Sequence, residues 1–248
     1  MPFALDLDGV IWLADDPIPG SAGAVAQLRA AGEDVVFCTN NSSLRIEEVE
    51  AKLARHGIPA IGDVLTSATA AATLVEPGEK VLVCAGPGVV EALEARGAVP
   101  VREAGVRVEA VMVGFHRDFD YDRLRIACNA VRGGARLLAT NDDSTYPTPT
   151  GPIPGGGAIL AAVVTGSGVP AVVAGKPNAP MAALVRQRLG AEGTVVGDRA
   201  DTDGRLARVL GYRFALVLSG VATADEEMDP APDLVAPDLR SLVERLCP

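Results

Sequence analysis

Positive charge is scarce in this chain of 248 residues. Twenty-two Lys and Arg face thirty-two Asp and Glu, for a formal net charge of -10. That balance argues against nucleic acid or an anionic membrane surface as the main partner. It leaves an anionic small molecule open, because one metal ion and one lysine can set the field of a site. Histidine is rarer still. His56 and His116 are the only two, too few for a histidine phosphatase or a multi-histidine dimetal site. Cys38, Cys84, Cys128 and Cys247 stand without CxxC spacing, which argues against zinc ribbons and redox pairs and reads as free thiols of a cytosolic protein. A cysteine-based phosphate loop wants five residues between its cysteine and arginine, and Cys38 and Arg45 have six between them. The N-terminus has no basic region followed by an apolar run, and no segment is long enough to span a bilayer. The expectation is a soluble, cytoplasmic chain with no membrane partner.

What is present is apolar residues, 48% of the chain, enough to bury one large core or two modest ones. Short apolar runs alternate with stretches of helical periodicity. Phe3–Leu5, Val35–Cys38 and Val64–Leu65 read as strands, with helices from about Ser21, around Ile46–Leu53, and over Ser67–Val75. Pro77–Gly78 marks a break, after which the same pattern restarts. Strands are expected at Val81–Cys84, Val108–Val113 and Leu137–Ala139, with helices over Val89–Ala95, Tyr121–Val131 and Ala158–Val164. Ala171–Ala174 is read as the return to the first unit. A helix over Ala179–Leu189, strands at Thr194–Val196 and Phe214–Leu218, and a C-terminal helix from Asp238 then follow. The predicted architecture is α/β: a doubly wound parallel-sheet core made of residues 1–77 and 170–248, with an α/β unit of residues 78–169 inserted into it.

Four polar clusters punctuate the apolar runs: Asp6/Asp8, Thr39/Asn40/Asn41, Lys176, and Asp198/Asp201/Asp203. In an open parallel sheet the ligand crevice lies at the carboxyl ends of the strands, so the four are expected to meet at one edge. Two residues apart in a strand, Asp6 and Asp8 would share a face, where a divalent cation can offset their repulsion. A solvated Asp-rich turn is the alternative for that pair alone. Lys176 is one of only three lysines, with Lys52 and Lys80, among the 22 basic residues. A compact charge on a flexible stem thus stands out in a chain that otherwise uses arginine. Metal-binding acids, a hydroxyl donor and a lysine together are legible as phosphoryl-transfer machinery. Two glycine-rich stretches carry less: Gly86-Pro87-Gly88 has Glu91 where a dinucleotide fingerprint needs its third glycine, and Gly155–Gly157 reads as a tight turn ahead of an anion site.

Asp6-Leu7-Asp8-Gly9-Val10, Thr39-Asn40-Asn41-Ser42, Gly175-Lys176-Pro177 and Gly197-Asp198-Arg199-Ala200-Asp201-Thr202-Asp203 resemble, in order, the four motifs of the haloacid dehalogenase (HAD) superfamily. The insert between the second and third motifs, with its Asn141–Gly157 loop, is similar to the cap of subfamily IIA, the NagD-like and p-nitrophenyl phosphatase group. The resemblance implies a Rossmann-like HAD core with an inserted α/β cap, and a Mg²⁺-dependent phosphomonoester hydrolase working through an aspartyl-phosphate. It makes Asp6 the nucleophile and Asp8 the general acid and base. Asp6, the Asp8 backbone carbonyl and Asp198 become Mg²⁺ ligands, with Asp203 behind them, and Thr39, Asn40 and Lys176 bind the phosphoryl group. The role of Asp201 stays open. Substrate choice falls to the cap, where His116, Asp143 and Tyr146 are the candidates. Glycerol phosphate, phosphoglycolate, pyridoxal phosphate, a sugar phosphate and a nucleoside monophosphate all remain open as the small phosphorylated metabolite. The resemblance also raises a homodimer as a partner. The alternatives are a receiver-like phospho-acceptor, for which the insert would have no purpose, and a phosphotransferase or mutase on the same scaffold.

Overall fold

Phe3–Leu5 is apolar and buried at every position, and it forms β1, a strand inside the larger sheet. Such a run suits a parallel strand covered on both faces. The computed structural model describes residues 1–146, 148, 150–223 and 227–246. Two compact units are formed, one from residues 1–39, 47–65 and 176 onward, the other from residues 40–46 and 66–175.

In the first unit β1 is followed by a two-residue-per-strand hairpin, β2 (Trp12–Leu13) and β3 (Asp16–Pro17). Helix α1 (Ser21–Ala30) buries Ala24, Val25 and Leu28, and the chain leaves it through Gly32 at φ 80°, the left-handed conformation that glycine adopts without strain. Strand β4 (Val35–Thr39) is buried throughout. Helix α2 (Ile46–Arg55) carries Glu47 and Glu48 in its first turn and Lys52 and Arg55 in its last, the arrangement its macrodipole favours. Strand β5 (Val64–Thr66) closes this stretch.

The second unit continues with α3 (Ser67–Ala72), held by a Thr66/Thr69 capping box. Then follow β6 (Lys80–Cys84), α4 (Pro87–Ala95), β7 (Val99–Val101), β8 (Ala110–Val113), α5 (Tyr121–Arg132) and β9 (Arg136–Ala139). A short antiparallel hairpin, β10 (Thr145–Tyr146) and β11 (Ile153–Pro154), leads into α6 (Gly156–Ser167) and β12 (Val172–Val173). The sheet here is five-stranded and parallel, in the order β12-β9-β8-β6-β7.

Back in the first unit, α7 (Ala179–Leu189), β13 (Thr194–Gly197), a π-helical turn (Ala200–Gly204), α8 (Arg205–Leu210), β14 (Arg213–Val217), β15 (Leu234–Ala236) and α9 (Leu239–Leu246) complete the chain. The six-stranded sheet runs β15-β14-β13-β1-β4-β5. From β1 the order proceeds one way through β4 and β5, while β13 to β15 stack on the other side. The β1/β13 boundary is therefore the topological switch point, where open α/β sheets bind ligands. The fold is the expected α/β one, a doubly wound parallel core with an inserted α/β unit.

Two details differ from expectation. Ala171–Ala174 does not return to the first sheet: Val172 and Val173 pair with Leu138 and Ala139 of β9. The second unit thus runs to residue 175, and it also takes in residues 40–46, against an expected span of 78–169. Strand β7 has no strand pattern in the sequence because Pro100 sits inside it, which is tolerated at a sheet edge. Gly155–Gly157 cap and begin α6, and a Cβ at Gly155 or Gly157 would run into the backbone carbonyls of Asp142, Asp143 and Thr145. Close packing, not an exposed anion loop, accounts for those glycines. Cys38, Cys84 and Cys128 are free and buried; Cys247 lies outside the described residues. No described helix is long and apolar enough to cross a membrane.

Candidate active site

Strand β1 ends at Leu5, and the next residue is the one that matters. The Asp6 N–H donates to Val196 O of β13 at 2.9 Å, which fixes Asp6 at the switch point. Its carboxylate is buried, with Oδ1 accepting the Leu7 N–H at 2.8 Å. The chain then folds over tightly, the N–H groups of Val10, Ile11 and Trp12 all converging on Leu7 O. Asp8 is half-buried in that turn rather than in the strand, and its Oδ1 accepts the Trp12 indole N–H at 3.1 Å. A solvated turn is thereby excluded for Asp6.

Lys176 is 3% exposed, and its ammonium lies 2.8 Å from Asp6 Oδ1 and 2.7 Å from Asp203 Oδ1. Burial opposes its charge, but Asp203 and Asp6 outweigh burial and push its pKa well above the ordinary lysine value. Asp198, at the end of β13, is buried and accepts the Val221 N–H on Oδ2 at 2.8 Å. Thr39, at the end of β4, is buried as well. Asp201 faces solvent in a bidentate pair with Arg199 at 3.0 and 2.8 Å, outside this cluster.

Oxygens of Asp6, Asp198 and Asp203 all lie within 4.8 Å of one another. Burial raises all three pKa values, Asp6 and Asp198 to about 6 and Asp203 to about 7, with neighbouring carboxylates adding to the rise. Three acids and one lysine leave an excess of negative charge in a dry place. A hard divalent cation fits that donor set. Asp203 is committed to Lys176 through Oδ1, and its Oδ2 accepts the Arg199 N–H at 3.3 Å. Three glycines make room for the acids: a Cβ at Gly9 or Gly220 would overlap the Asp198 carboxylate, and one at Gly197 would overlap that of Asp203.

Asn40, Asp143, Tyr146 and His116 belong to the second unit. The Asn40 carboxamide donates to both Asp143 oxygens, at 3.3 and 3.1 Å, and Asn41 Nδ2 donates to the Tyr146 hydroxyl at 3.3 Å. The Tyr146 ring stacks on Phe115, centroids 4.8 Å apart and planes within 4°. His116 is different: it is buried, Nδ1 hydrogen-bonds Gly114 O at 2.9 Å, and Nε2 has no partner among the described residues. It packs edge-on against Phe119.

Several site neighbours were not foreseen. Trp12, Ser219, Gly220 and Val221 lie outside the four polar clusters of the sequence. Ser219 Oγ donates to Gly9 O at 2.6 Å, so the loop after β14 braces the turn after Asp8. One signal existed: Ser219-Gly220 follows an apolar strand, as the recognised clusters do.

A parallel sheet with buried acids and a lysine gathered at its switch point suits phosphoryl transfer, and similarity to known proteins supplies the class. The chain belongs to the haloacid dehalogenase-like hydrolase family, whose model matches residues 3–99, while a second, HAD-hydrolase-like model matches residues 173–242. Among individual relatives, the chain is 37% identical to the D-glycerol 3-phosphate phosphatase of Mycobacterium tuberculosis, over 96% of this chain and 69% of that protein. It superposes on a crystal structure of the Mycobacterium tuberculosis glycerol phosphate phosphatase in complex with magnesium with a TM-score of 0.90, at 35% identity, covering 97% of this chain and 75% of that one. The p-nitrophenyl phosphatase from Archaeoglobus fulgidus is equally similar in fold, with a TM-score of 0.91 at 30% identity, over 98% of both chains.

Proposed function

We propose that this protein is a Mg²⁺-dependent phosphomonoester hydrolase that acts on a small phosphorylated metabolite through an aspartyl-phosphate on Asp6. The observation that carries this reading is the Asp6–Lys176–Asp203 array beside Asp198, buried at the switch point of the sheet. A nucleophilic carboxylate needs fixed orientation, and the Leu7 N–H and Lys176 supply it. Asp6, the Asp8 backbone carbonyl and Asp198 would hold the ion, with Asp203 behind them holding Lys176. When bound, Mg²⁺ neutralises charge on the phosphoryl oxygens and orients the ester. Thr39 and Lys176 bind those oxygens.

In the first step an Asp6 oxygen attacks phosphorus and the P–O bond to the leaving alcohol breaks. Asp8 gives its proton to the departing oxygen. In the second step Asp8 takes a proton from water, the resulting hydroxide attacks phosphorus, and the acyl-phosphate P–O bond breaks to release phosphate and Asp6. Burial raises the pKa of Asp8, which favours the protonated form the first step needs. Substrate choice is assigned to residues 78–169, the bulk of the second unit, with Asp143 and Tyr146 as the candidates. Glycerol phosphate is the first ester to try, since a relative at 37% identity is named for it.

The test is turnover of p-nitrophenyl phosphate and a panel of natural esters with Mg²⁺ and with EDTA. Multiple turnovers that require Mg²⁺ are expected, and Asp6→Asn should lower kcat by several orders of magnitude, on the scale of a lost nucleophile. A protein that is labelled once by a phospho-donor and never turns over would be a receiver-like acceptor, and phosphate delivered to a second alcohol would mark a transferase. Full activity in EDTA or in a folded Asp6→Asn protein would refute the assignment.

A further inference from the structure

The sole tryptophan of the chain sits on Asp8, and its surroundings are built to keep it there. The Trp12 indole N–H donates to Asp8 Oδ1 at 3.1 Å, and the Trp12 carbonyl accepts the Gly9 N–H at 2.8 Å. Trp12 is 4% exposed, in the hairpin β2/β3. One face of its ring carries the Lys52 ammonium, 4.2 Å from the centroid, a cation–π contact. His56 packs against it with ring centroids 5.9 Å apart. Lys52 also donates to the Ala14 carbonyl and lies 3.2 Å from Asp15 Oδ1. Ala14 is a non-glycine residue with positive φ, 54°, so a lysine of α2 is fastened to the strained corner of the same hairpin. Two of the three lysines therefore serve this region: Lys176 beside Asp6 and Lys52 beside Trp12.

We infer that Trp12, clamped by Lys52, is a positioning residue that decides which oxygen of Asp8 delivers the proton to the leaving group. The inference rests on the reading of Asp8 as proton donor. A neutral carboxyl group has one accepting carbonyl oxygen and one donating hydroxyl. Indole N–H is a donor only, so it selects Oδ1 as the carbonyl oxygen. The acidic proton is thereby placed on Oδ2, and the rotamer of the carboxyl group is fixed. Without the indole the carboxyl group can turn, and the proton is offered in the right direction only part of the time. A fault of this kind has a kinetic signature. Proton delivery matters most when the leaving group is a poor one, an alkoxide, and least for p-nitrophenolate, which departs without help.

The experiment measures kcat/KM for glycerol phosphate and for p-nitrophenyl phosphate on the same preparation of each variant, with saturating Mg²⁺. The ratio of the two cancels folded fraction and metal content. Asp8→Asn should depress the ratio by about 10²–10⁴-fold, the span of general acid catalysis. Trp12→Phe keeps an aromatic ring for Lys52 while it removes the donor and some buried volume, and it should depress the ratio by about 10- to 100-fold, as misplacement of a catalytic group does. Lys52→Met should shift it the same way by a smaller factor. Equal losses on both esters in Trp12→Phe, or an unchanged ratio, while Asp8→Asn still collapses it, would overturn the positioning role and leave the hydrolase reading intact. An unchanged ratio in Asp8→Asn would instead remove the proton-donor assignment, and the inference with it.

Discussion

A methyl group added at residue 220 would land in the carboxylate of Asp198, and one at residue 9 would do the same from another side. The two positions differ in what else they demand. Gly9 has φ 78°, which an L side chain tolerates poorly, whereas the Gly220 backbone has no such restriction. Gly220→Ala is therefore a clean probe of space beside a proposed metal ligand. Asp198 cannot keep both its Val221 hydrogen bond and its place if a Cβ intrudes. Mutation of groups that orient a ligand costs about 10–100-fold in metal affinity, and Gly220→Ala is expected in that range. Titration of activity against Mg²⁺ measures it, with maximal rate recovered in part at high Mg²⁺. An unchanged half-saturating concentration would mean that Asp198 moves freely or binds no metal.

At the scale of elements, the short hairpin β10/β11 and the residues before it hold the proposed selectors. Asp143 accepts from the Asn40 carboxamide on both of its oxygens, and Tyr146 is held at its hydroxyl by Asn41 and along its face by Phe115. A ring fixed at both ends gives up little further freedom when it contacts a ligand. Asp143→Ala or Tyr146→Ala should shift relative kcat/KM among natural phosphate esters by about tenfold. His116→Ala should lower all esters alike, because that ring is buried and hydrogen-bonded to Gly114 O. A phosphate-release panel across the three variants decides between selection and support. Much of this element order was legible beforehand. Helix Ala179–Leu189 and strands β1, β4 and β13 have long periodic or fully apolar stretches, and each of those strands ends in a polar cluster. Asp6, Thr39 and Asp198 could be placed for that reason. Two-residue strands could not be: Val172–Val173 is an apolar pair whose partner is chosen by β9, a non-local fact that no local pattern encodes. Trp12 and the Val221 N–H escaped for related reasons. A backbone donor has no residue signature, and a tryptophan inside the apolar run Val10–Leu13 reads as packing until its partner is seen.

Across the whole molecule, the proposed metal site should make stability depend on pH and Mg²⁺ together. Asp6, Asp198 and Asp203 titrate near 6, 6 and 7 in the metal-free fold, against 3.8 for the ordinary value. The folded state holds these protons more tightly than the unfolded one. Their contribution is complete below about pH 4 and is lost as pH rises through 6 to 7. His116 runs the other way, since burial lowers its pKa and the unfolded state takes up the proton more readily at low pH. Tm of the metal-free protein alone therefore mixes opposing trends. The increment that Mg²⁺ adds separates them, because His116 lies outside the acid cluster. At pH 8 the three acids are ionised, and Mg²⁺ at a hundred times its Kd stabilises by about 2.7 kcal/mol, or about 5–10 °C in a unit of this size. At pH 5 protons occupy the same oxygens, and the increment should shrink to a small fraction of that. Thermal unfolding with and without Mg²⁺ at both pH values measures it, and Asp198→Asn should reduce the increment at pH 8. A shift of equal size at pH 5 and pH 8 would place the ion on other groups.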